Sequence, residues 1–249
     1  MDGQTAERPH GRLRLLVVSA LALVLAVGPS GRPAAAQVGH DPARSLYRDI
    51  PLRPVLGFSV GYLSNDRGRV GAGFSDALTF GARYDIPTGR SLLFQLATTY
   101  LRGDRFIIDP RADSAAPQRR TGPYNSNLVL VEAGMQLRLT GAKSWRGVAP
   151  YAGTALGLTF DVDSPGDTTQ SGYKFGTKLT LAFVSGVRLY PARRMVINAE
   201  ARAQAWRLKY PLSFHAALSP DGSRVIPVSE PLNDWTLHPW LSLGIGWTF

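Results

Sequence analysis

Asp234, His238 and Ser242 come closest, in residue type and spacing, to a set that could perform acid–base chemistry. His238 lies four positions after Asp234 and four before Ser242. A histidine oriented by a carboxylate can activate a neighbouring hydroxyl as a nucleophile. Of the other histidines beyond residue 36, His40 lies before the first alternating segment, and His215 is followed by Ala216 and Ala217, without a His-x-Ser arrangement. Scattered histidines are more often structural or loop residues, and we therefore predict no catalytic residues and no enzymatic activity.

Metal and cofactor patterns are equally sparse. The chain contains no cysteine, which removes thiolate ligands and disulfides. Asp161, Asp163 and Asp167 could bind a divalent cation through oxygen atoms, but a solvated acidic loop accounts for them more simply. No glycine-rich phosphate loop follows a strand and opens a helix. The sequence predicts no metal site and no cofactor.

The formal net charge of +10 raises the question of a nucleic-acid partner. The basic residues form no stripe along one element. Their local clusters, Arg119–Arg120 and Arg193–Arg194, lie among turn-forming residues. An anionic lipid surface or a solvated loop explains these clusters better, and we predict no nucleic-acid binding.

The first 36 residues have the organisation of an export signal. Arg8, Arg12 and Arg14 precede an uncharged run from Leu15 to Val27, which ends at Gly28-Pro29. This run is shorter than the roughly 20 residues that a membrane-spanning helix needs. Small residues before Gln37 fit a cleavage site after Ala36. We predict a cleaved signal peptide over 1–36, a periplasmic lead-in over 37–52 and a single domain over 53–249.

Beyond residue 53 the sequence alternates between apolar and polar residues in eight successive segments. Each segment is close to the roughly 9–11 residues that a tilted membrane-spanning strand requires. The mean hydropathy of −0.07 excludes a protein with many membrane-spanning helices, but a barrel balances an apolar exterior with a polar interior. The segments therefore predict an all-β fold, a transmembrane antiparallel up-and-down β-barrel.

Charged residues determine which face of each strand is internal. In the second segment, Leu78, Phe80 and Tyr84 share one face, and Arg83 and Asp85 share the other. An arginine facing lipid near the bilayer midplane costs about 2–4 kcal/mol, so the charged face must be internal. The same argument in the other segments predicts an inward-facing set of eight charged residues: Arg83, Asp85, Glu132, Arg138, Lys178, Arg188, Glu200 and Arg202.

Long and short connections alternate along the chain, as expected when strands are joined by external loops and periplasmic turns. This alternation predicts an even number of strands with both ends of the domain in the periplasm. Eight strands satisfy it, and ten would do so if the run Ser223–Val228 formed a further hairpin. Aromatic residues near the segment ends predict girdles at the two membrane interfaces: Tyr62, Tyr84, Tyr100, Tyr151, Tyr190, Trp206, Trp240 and Trp247.

The last segment alternates apolar residues up to Phe249, with Trp247 two positions before it. This pattern resembles the C-terminal signature of bacterial outer-membrane barrels. Together with the export signal, the eight segments and the turns, it makes the mature chain similar to small OmpA-like and OmpW-like barrels. The resemblance implies a Gram-negative outer-membrane location and recognition of Trp247 and Phe249 by the barrel-assembly machinery. It also implies contact with outer-membrane lipid and lipopolysaccharide, and a monomer.

The width of the barrel bears on function. Eight strands leave an interior just wide enough to be filled by side chains, and buried charges must be paired. The inward charged residues therefore predict a plug of ion pairs. We predict a non-enzymatic barrel with a structural or surface-interaction role. A narrow channel for small polar or anionic solutes is the alternative, and a lipid A-modifying enzyme is a less favoured one.

Overall fold

The computed structural model of the protein describes residues 45–169 and 171–249. The predicted signal peptide and residues 37–44 of the predicted lead-in lie outside the described residues. Ten strands are present in the described part: β1 (Tyr47–Asp49), β2 (Val55–Leu63), β3 (Ala77–Pro87), β4 (Leu92–Ile108), β5 (Arg120–Arg138), β6 (Lys143–Trp145), β7 (Val148–Asp163), β8 (Lys178–Ala192), β9 (Met195–Lys209) and β10 (Asn233–Thr248).

Eight of these strands form a closed wall. Consecutive long strands pair antiparallel in the order β2-β3-β4-β5-β7-β8-β9-β10, and β10 pairs with β2 to close the sheet. The predicted eight-stranded up-and-down barrel is confirmed. The ten-stranded alternative is wrong: the connection 210–232 contains a short helix, α1 (Ser213–Ala216), and no strand. Pro227 lies within the proposed hairpin segment and has no N–H to donate to a ladder.

The wall has the predicted alternation of faces. On β2, Leu56, Phe58, Val60 and Tyr62 are exposed on the outside, while Gly57 is buried. The other seven wall strands follow the same rule, and the uncertain fifth segment has its even-numbered residues outward, as predicted. Side chains alternate because successive Cβ atoms point to opposite sides of a strand. The apolar residues of each segment therefore form a continuous outer surface.

The two ends of the barrel differ. Short connections at 88–91 and 193–194, and the link 139–147 that contains β6, lie at one end, called the turn end. The four long connections lie at the other, called the loop end. The loop between β4 and β5 spans only 109–119, because β4 continues to Ile108 and β5 begins at Arg120. At the turn end, β1 of the lead-in pairs with β6.

An apolar cluster fills the loop end. Leu63, Leu101 and Leu130 point into the barrel and are fully buried. They belong to one cluster with Phe175 and Phe214 of the long connections. The loops therefore pack into this end of the lumen. Within the described ranges no helix has the length and apolar character to cross a membrane.

Three of the eight aromatic residues assigned to interface girdles lie inside the barrel instead. Tyr151, Trp206 and Trp240 are at most 4% exposed. Their positions on the strands explain the error. Tyr151 has the parity of the inward residues of β7, Trp206 that of β9 and Trp240 that of β10. Tyr62, Tyr84, Tyr100 and Trp247 are exposed on the outside.

Candidate functional site: the ion pairs of the lumen

The eight charged residues predicted to face inward are all buried inside the wall. Two pairs come from residues that are two positions apart on one strand: Arg83 and Asp85 on β3, and Glu200 and Arg202 on β9. Residues at this spacing share a face of a strand. The local pairing of the site therefore follows directly from strand periodicity.

Six of the eight residues form a single chain of alternating charge. Arg202 pairs with both Glu132 and Glu200. Arg83 Nη1 lies 3.0 Å from Glu200 Oε2, and Arg83 Nη2 lies 3.2 Å from Asp85 Oδ2. The chain ends at Arg188, whose Nη2 is 3.0 Å from the same Asp85 oxygen. Its order is Glu132, Arg202, Glu200, Arg83, Asp85, Arg188.

This six-residue chain crosses the lumen. Its members come from β5, β9, β3 and β8, and β3 and β8 are separated by three strands of the wall on one side and by three on the other. Three guanidinium groups and three carboxylates give it no net charge. Isolated buried charges are costly, and alternation places an opposite charge beside every member. Apart from these six residues, no arginine or carboxylate of the described lumen forms an ion pair.

Uncharged side chains add further hydrogen bonds to the six-residue chain. Gln136 accepts a hydrogen bond from Arg188 at 2.6 Å and donates one to Gln95 at 2.5 Å. The Tyr151 hydroxyl donates to Glu200 Oε2 at 2.5 Å. The charge pattern alone did not single out Tyr151 or Gln95 as members of the site. The parity of their positions on β7 and β4 is the signal that identifies them.

Arg138 and Lys178 lie inward but apart from the six-residue chain. Arg138 is near the turn end, where its Nη2 donates to the carbonyl oxygen of Arg90 at 2.9 Å. Lys178 begins β8 at the loop end, and its Nζ lies 5.2 Å from the centre of the Phe175 ring. Neither forms an ion pair within the described residues. The sequence assigned all eight to one network because parity defines a face but not a height along the barrel.

A small cavity borders the six-residue chain. An internal cavity of about 20 Å³ is lined by residues that include Arg83, Glu200, Arg202 and Trp240. This volume holds about one water molecule. Two contacts hold Trp240 at the edge of this cavity: its Nε1 donates to Thr79 Oγ1 at 3.0 Å, and the Arg202 guanidinium lies 4.7 Å from its ring centre.

The structure gives the acid–base candidates separate environments. His238 is buried, stacks on Trp206 with ring centres 3.9 Å apart, and has Nε2 2.8 Å from Thr236 Oγ1. Asp234 accepts a hydrogen bond from the Arg69 backbone N–H, whereas Ser242 lines the internal cavity. No hydrogen bond joins these three residues. His238 has the surroundings of a structural side chain.

The acidic residues at the end of β7 and in the loop that follows it are also used separately. Asp161 accepts a hydrogen bond from Ser164, and Asp163 accepts one from Asn127. Asp167 accepts hydrogen bonds from its own loop. Across the described residues, no group of three or more potential ligands is arranged to hold a metal ion.

The closed wall, the apolar outside and the ionic inside define an eight-stranded antiparallel β-barrel with the polarity of membrane-spanning barrels. No protein-family model matches the chain, and no curated protein matches it in sequence. Solved structures similar to it include the outer membrane protein OprG from Pseudomonas aeruginosa, with 11% identity, a TM-score of 0.48, and coverage of 81% of this chain and 98% of that one.

Two further solved structures are similar to the chain. Neisserial surface protein A (NspA) is 15% identical with a TM-score of 0.46, covering 82% of this chain and 98% of that one. The N-terminal β-barrel domain of Pseudomonas aeruginosa OprF is 11% identical with a TM-score of 0.41, covering 78% and 97%. At these identities and TM-scores, the likeness transfers no activity or partner to this chain.

Proposed function

We propose that this chain is a non-enzymatic outer-membrane β-barrel with a closed lumen and a structural or surface-interaction role. The observation that carries the proposal is the six-residue ion-pair chain, which runs from one side of the lumen to the other within a wall of only eight strands.

Membrane insertion is supported by the outer surface. Phe58 is 54% exposed, Leu179 65% and Leu243 62%, and each is surrounded by other exposed apolar residues of the wall. Soluble monomers rarely expose apolar patches beyond a few hundred Å². A belt of this kind is stable when it faces hydrocarbon. The closed sheet also leaves no backbone edge unpaired in that belt, as a bilayer requires.

Closure of the lumen is supported at two heights. The ion-pair chain and its amide and phenol partners occupy the barrel around the internal cavity of about 20 Å³. Nearer the loop end, the apolar cluster contains Trp206, Phe74 and Phe175. A hydrated ion would have to displace paired charges and then an apolar layer, and both steps are energetically unfavourable.

Planar-bilayer recording on the refolded protein tests the closed lumen. We expect no stepwise conductance above the bare bilayer, measured beside a porin of known conductance as the control for insertion. Insertion is verified independently by protease protection of the barrel in vesicles. Steady steps in inserted protein would contradict a closed lumen, and anion selectivity of those steps would favour the narrow-channel alternative.

The aromatic residues at the end of β10 suggest partners for the barrel. Trp247 lies on the outer face of the last strand and Phe249 directly follows that strand; they are 45% and 65% exposed, so a protein factor can contact both. We infer that they form the signal read by the barrel-assembly machinery and that the monomeric barrel contacts outer-membrane lipid and lipopolysaccharide. Replacing Phe249 with Ser should lower the outer-membrane yield in cells while leaving refolding of the purified chain into vesicles unchanged. Equal outer-membrane yields of the parent and the Phe249→Ser variant would contradict the role of Phe249 in assembly.

A further inference from the structure

Two arginines share one aromatic ring at the loop end of the barrel. The Cζ atom of Arg120 lies 3.8 Å from the centre of the Phe106 ring, and the Cζ atom of Arg67 lies 4.8 Å from the same centre. Arg67 belongs to the loop between β2 and β3, while Phe106 and Arg120 belong to the paired extensions of β4 and β5. Two separate parts of the chain therefore bring two positive charges to one place.

Neither guanidinium has a partner for its charge within the described chain. No carboxylate lies within ion-pair distance of Arg67 or Arg120, and neither side chain donates a hydrogen bond to a described residue. The neighbouring Arg69, in contrast, pairs with Glu230 at 2.6 Å. Each guanidinium carries five N–H donors. The pair thus presents many donors and two charges without internal compensation.

The arrangement holds the two charges together despite their repulsion. Arg120 begins β5 at the loop end, beyond the apolar belt. Partial burial and the charge of Arg67 both lower the pKa of Arg120. The Phe106 face attracts each guanidinium and restricts its movement. Gly71 lies beside the Arg120 guanidinium, at a backbone φ of +74° that disfavours other residues. The cluster is therefore built from three parts of the chain: the loop between β2 and β3, the end of β4 and the start of β5.

We propose that Arg67 and Arg120 bind a phosphate-type anion at the rim of the barrel, with Phe106 as the platform that orients both side chains. A phosphate group matches the two-donor fork of each guanidinium and offers oxygen atoms to both. A tetrahedral dianion satisfies two arginines better than a single carboxylate does. The phosphate belongs either to a lipid-linked sugar of the outer leaflet or to a soluble phosphate compound.

The lipid source rests on the outer-membrane placement proposed above, whereas the anion site itself does not. The first wall strand begins and the last wall strand ends at the turn end. With the turn end in the periplasm, the loop end lies at the cell surface. The phosphates of lipopolysaccharide are the dense anionic groups on that side.

Isothermal titration of the refolded protein in zwitterionic micelles with sodium pyrophosphate tests the site. We expect saturable binding that Arg67→Gln and Arg120→Gln each weaken by about tenfold or more, since each removes a charge-assisted fork. Arg146→Gln is the matched control: Arg146 stacks on Trp145 at 5.5 Å, at the turn end, and this variant should bind like the parent. No saturable binding, or equal weakening in the control, would overturn the proposal.

A second titration distinguishes the sources. Lipopolysaccharide and the same material after chemical removal of its phosphates are compared with the parent and the two variants. Loss of binding on dephosphorylation, together with weaker binding by both variants, supports the lipid source. Pyrophosphate binding without phosphate-dependent lipopolysaccharide binding supports a soluble phosphate compound. Heat-dependent gel mobility confirms that each variant is folded, and vesicle insertion of a non-binding protein shows that failure of the site leaves the barrel assignment intact.

Discussion

Arg83 and Glu200 are 117 residues apart in the sequence, and Arg83 Nη1 donates to Glu200 Oε2 at 3.0 Å across the lumen. Glu200 also accepts hydrogen bonds from Arg202 and from the Tyr151 hydroxyl. One carboxylate therefore joins contributions from β3, β7 and β9. The Glu200 carboxylate therefore has all of these hydrogen-bond partners only when the three strands are in register.

Replacing Glu200 with Gln should destabilise the barrel by about 3–5 kcal/mol, because it leaves two buried guanidinium groups with one carboxylate less. Urea unfolding of the refolded protein in vesicles, followed by tryptophan fluorescence, measures the change. The matched control is Glu230→Gln, which breaks the exposed pair with Arg69 and should cost no more than about 1 kcal/mol. Similar losses of unfolding free energy in the two variants would show that the buried ion pairs stabilise the barrel no more than an exposed pair does.

A charge on the outer face should be costly in proportion to its depth. Leu243 pairs with Val60 in the middle of β2 and is 62% exposed. Leu243→Arg should destabilise the protein in vesicles by about 2–4 kcal/mol, the cost of an arginine near the midplane. Leu237→Arg is the control, since Leu237 faces outward beyond the end of β2 and should cost about 0–1 kcal/mol. Equal effects at both positions would contradict the membrane belt.

Strand parity explains how much of this architecture the sequence predicts. Alternation over each segment identified the inward face, and with it Arg83, Glu200 and Arg202. The same rule applied to β7 would have placed Tyr151 inside, where it contacts Glu200. Parity gives no height along the barrel axis, and so it did not separate Arg138 and Lys178 from the other six. That separation depends on the register between neighbouring strands.

The loop end was beyond sequence reasoning for a different reason. Phe74, Phe175 and Phe214 come from three connections without regular periodicity, and only the tertiary fold brings them into one cluster. The short strands β1 and β6 pair over three residues, which is too brief a segment to show alternation. Such contacts depend on chain closure and not on local pattern.

The absence of a side chain at Gly186 should be required for the Tyr151–Glu200 contact. A Cβ atom at Gly186 would lie 2.5 Å from the Ala199 carbonyl oxygen and 2.7 Å from the Tyr151 hydroxyl. Gly186→Ala should therefore destabilise the barrel by about 1–3 kcal/mol in urea unfolding, as overpacking does. Gly89→Ala in a turn is the control, because a Cβ atom there meets nothing within 4 Å. Unchanged stability of the Gly186→Ala variant would mean that the neighbouring strands shift to accommodate the Cβ atom.

Acid should loosen the connection between β7 and β8. Partial burial raises the pKa of Asp167, but hydrogen bonds from Gly172 and Thr169 outweigh it and hold that pKa below its usual value of 3.8. A carboxylate with a lowered folded pKa stabilises the fold above its unfolded pKa, and this contribution is lost as the pH falls through the folded pKa. Exchange protection of the Gly172 amide should therefore be constant near neutral pH and fall below about pH 3.8. Asp167→Asn should reduce that protection at neutral pH and remove its pH dependence; unchanged protection in this variant would contradict the assignment.

Loss of an aromatic ring at the loop end should unfold the loops without opening the wall. Phe214 is fully buried and stacks with Tyr173 and Tyr210, at ring-centre distances of 6.2 and 5.9 Å. Phe214→Ala removes about 3–5 kcal/mol of packing from a cluster built largely from loop residues. Since the wall strands are held by their own ladder, hydrogen exchange should rise over 210–232 and stay unchanged in β9 and β10. Leu212→Ala is the control, because Leu212 is 76% exposed; exchange that rose equally in both variants, or that spread into β9 and β10, would show that loops and wall do not unfold separately.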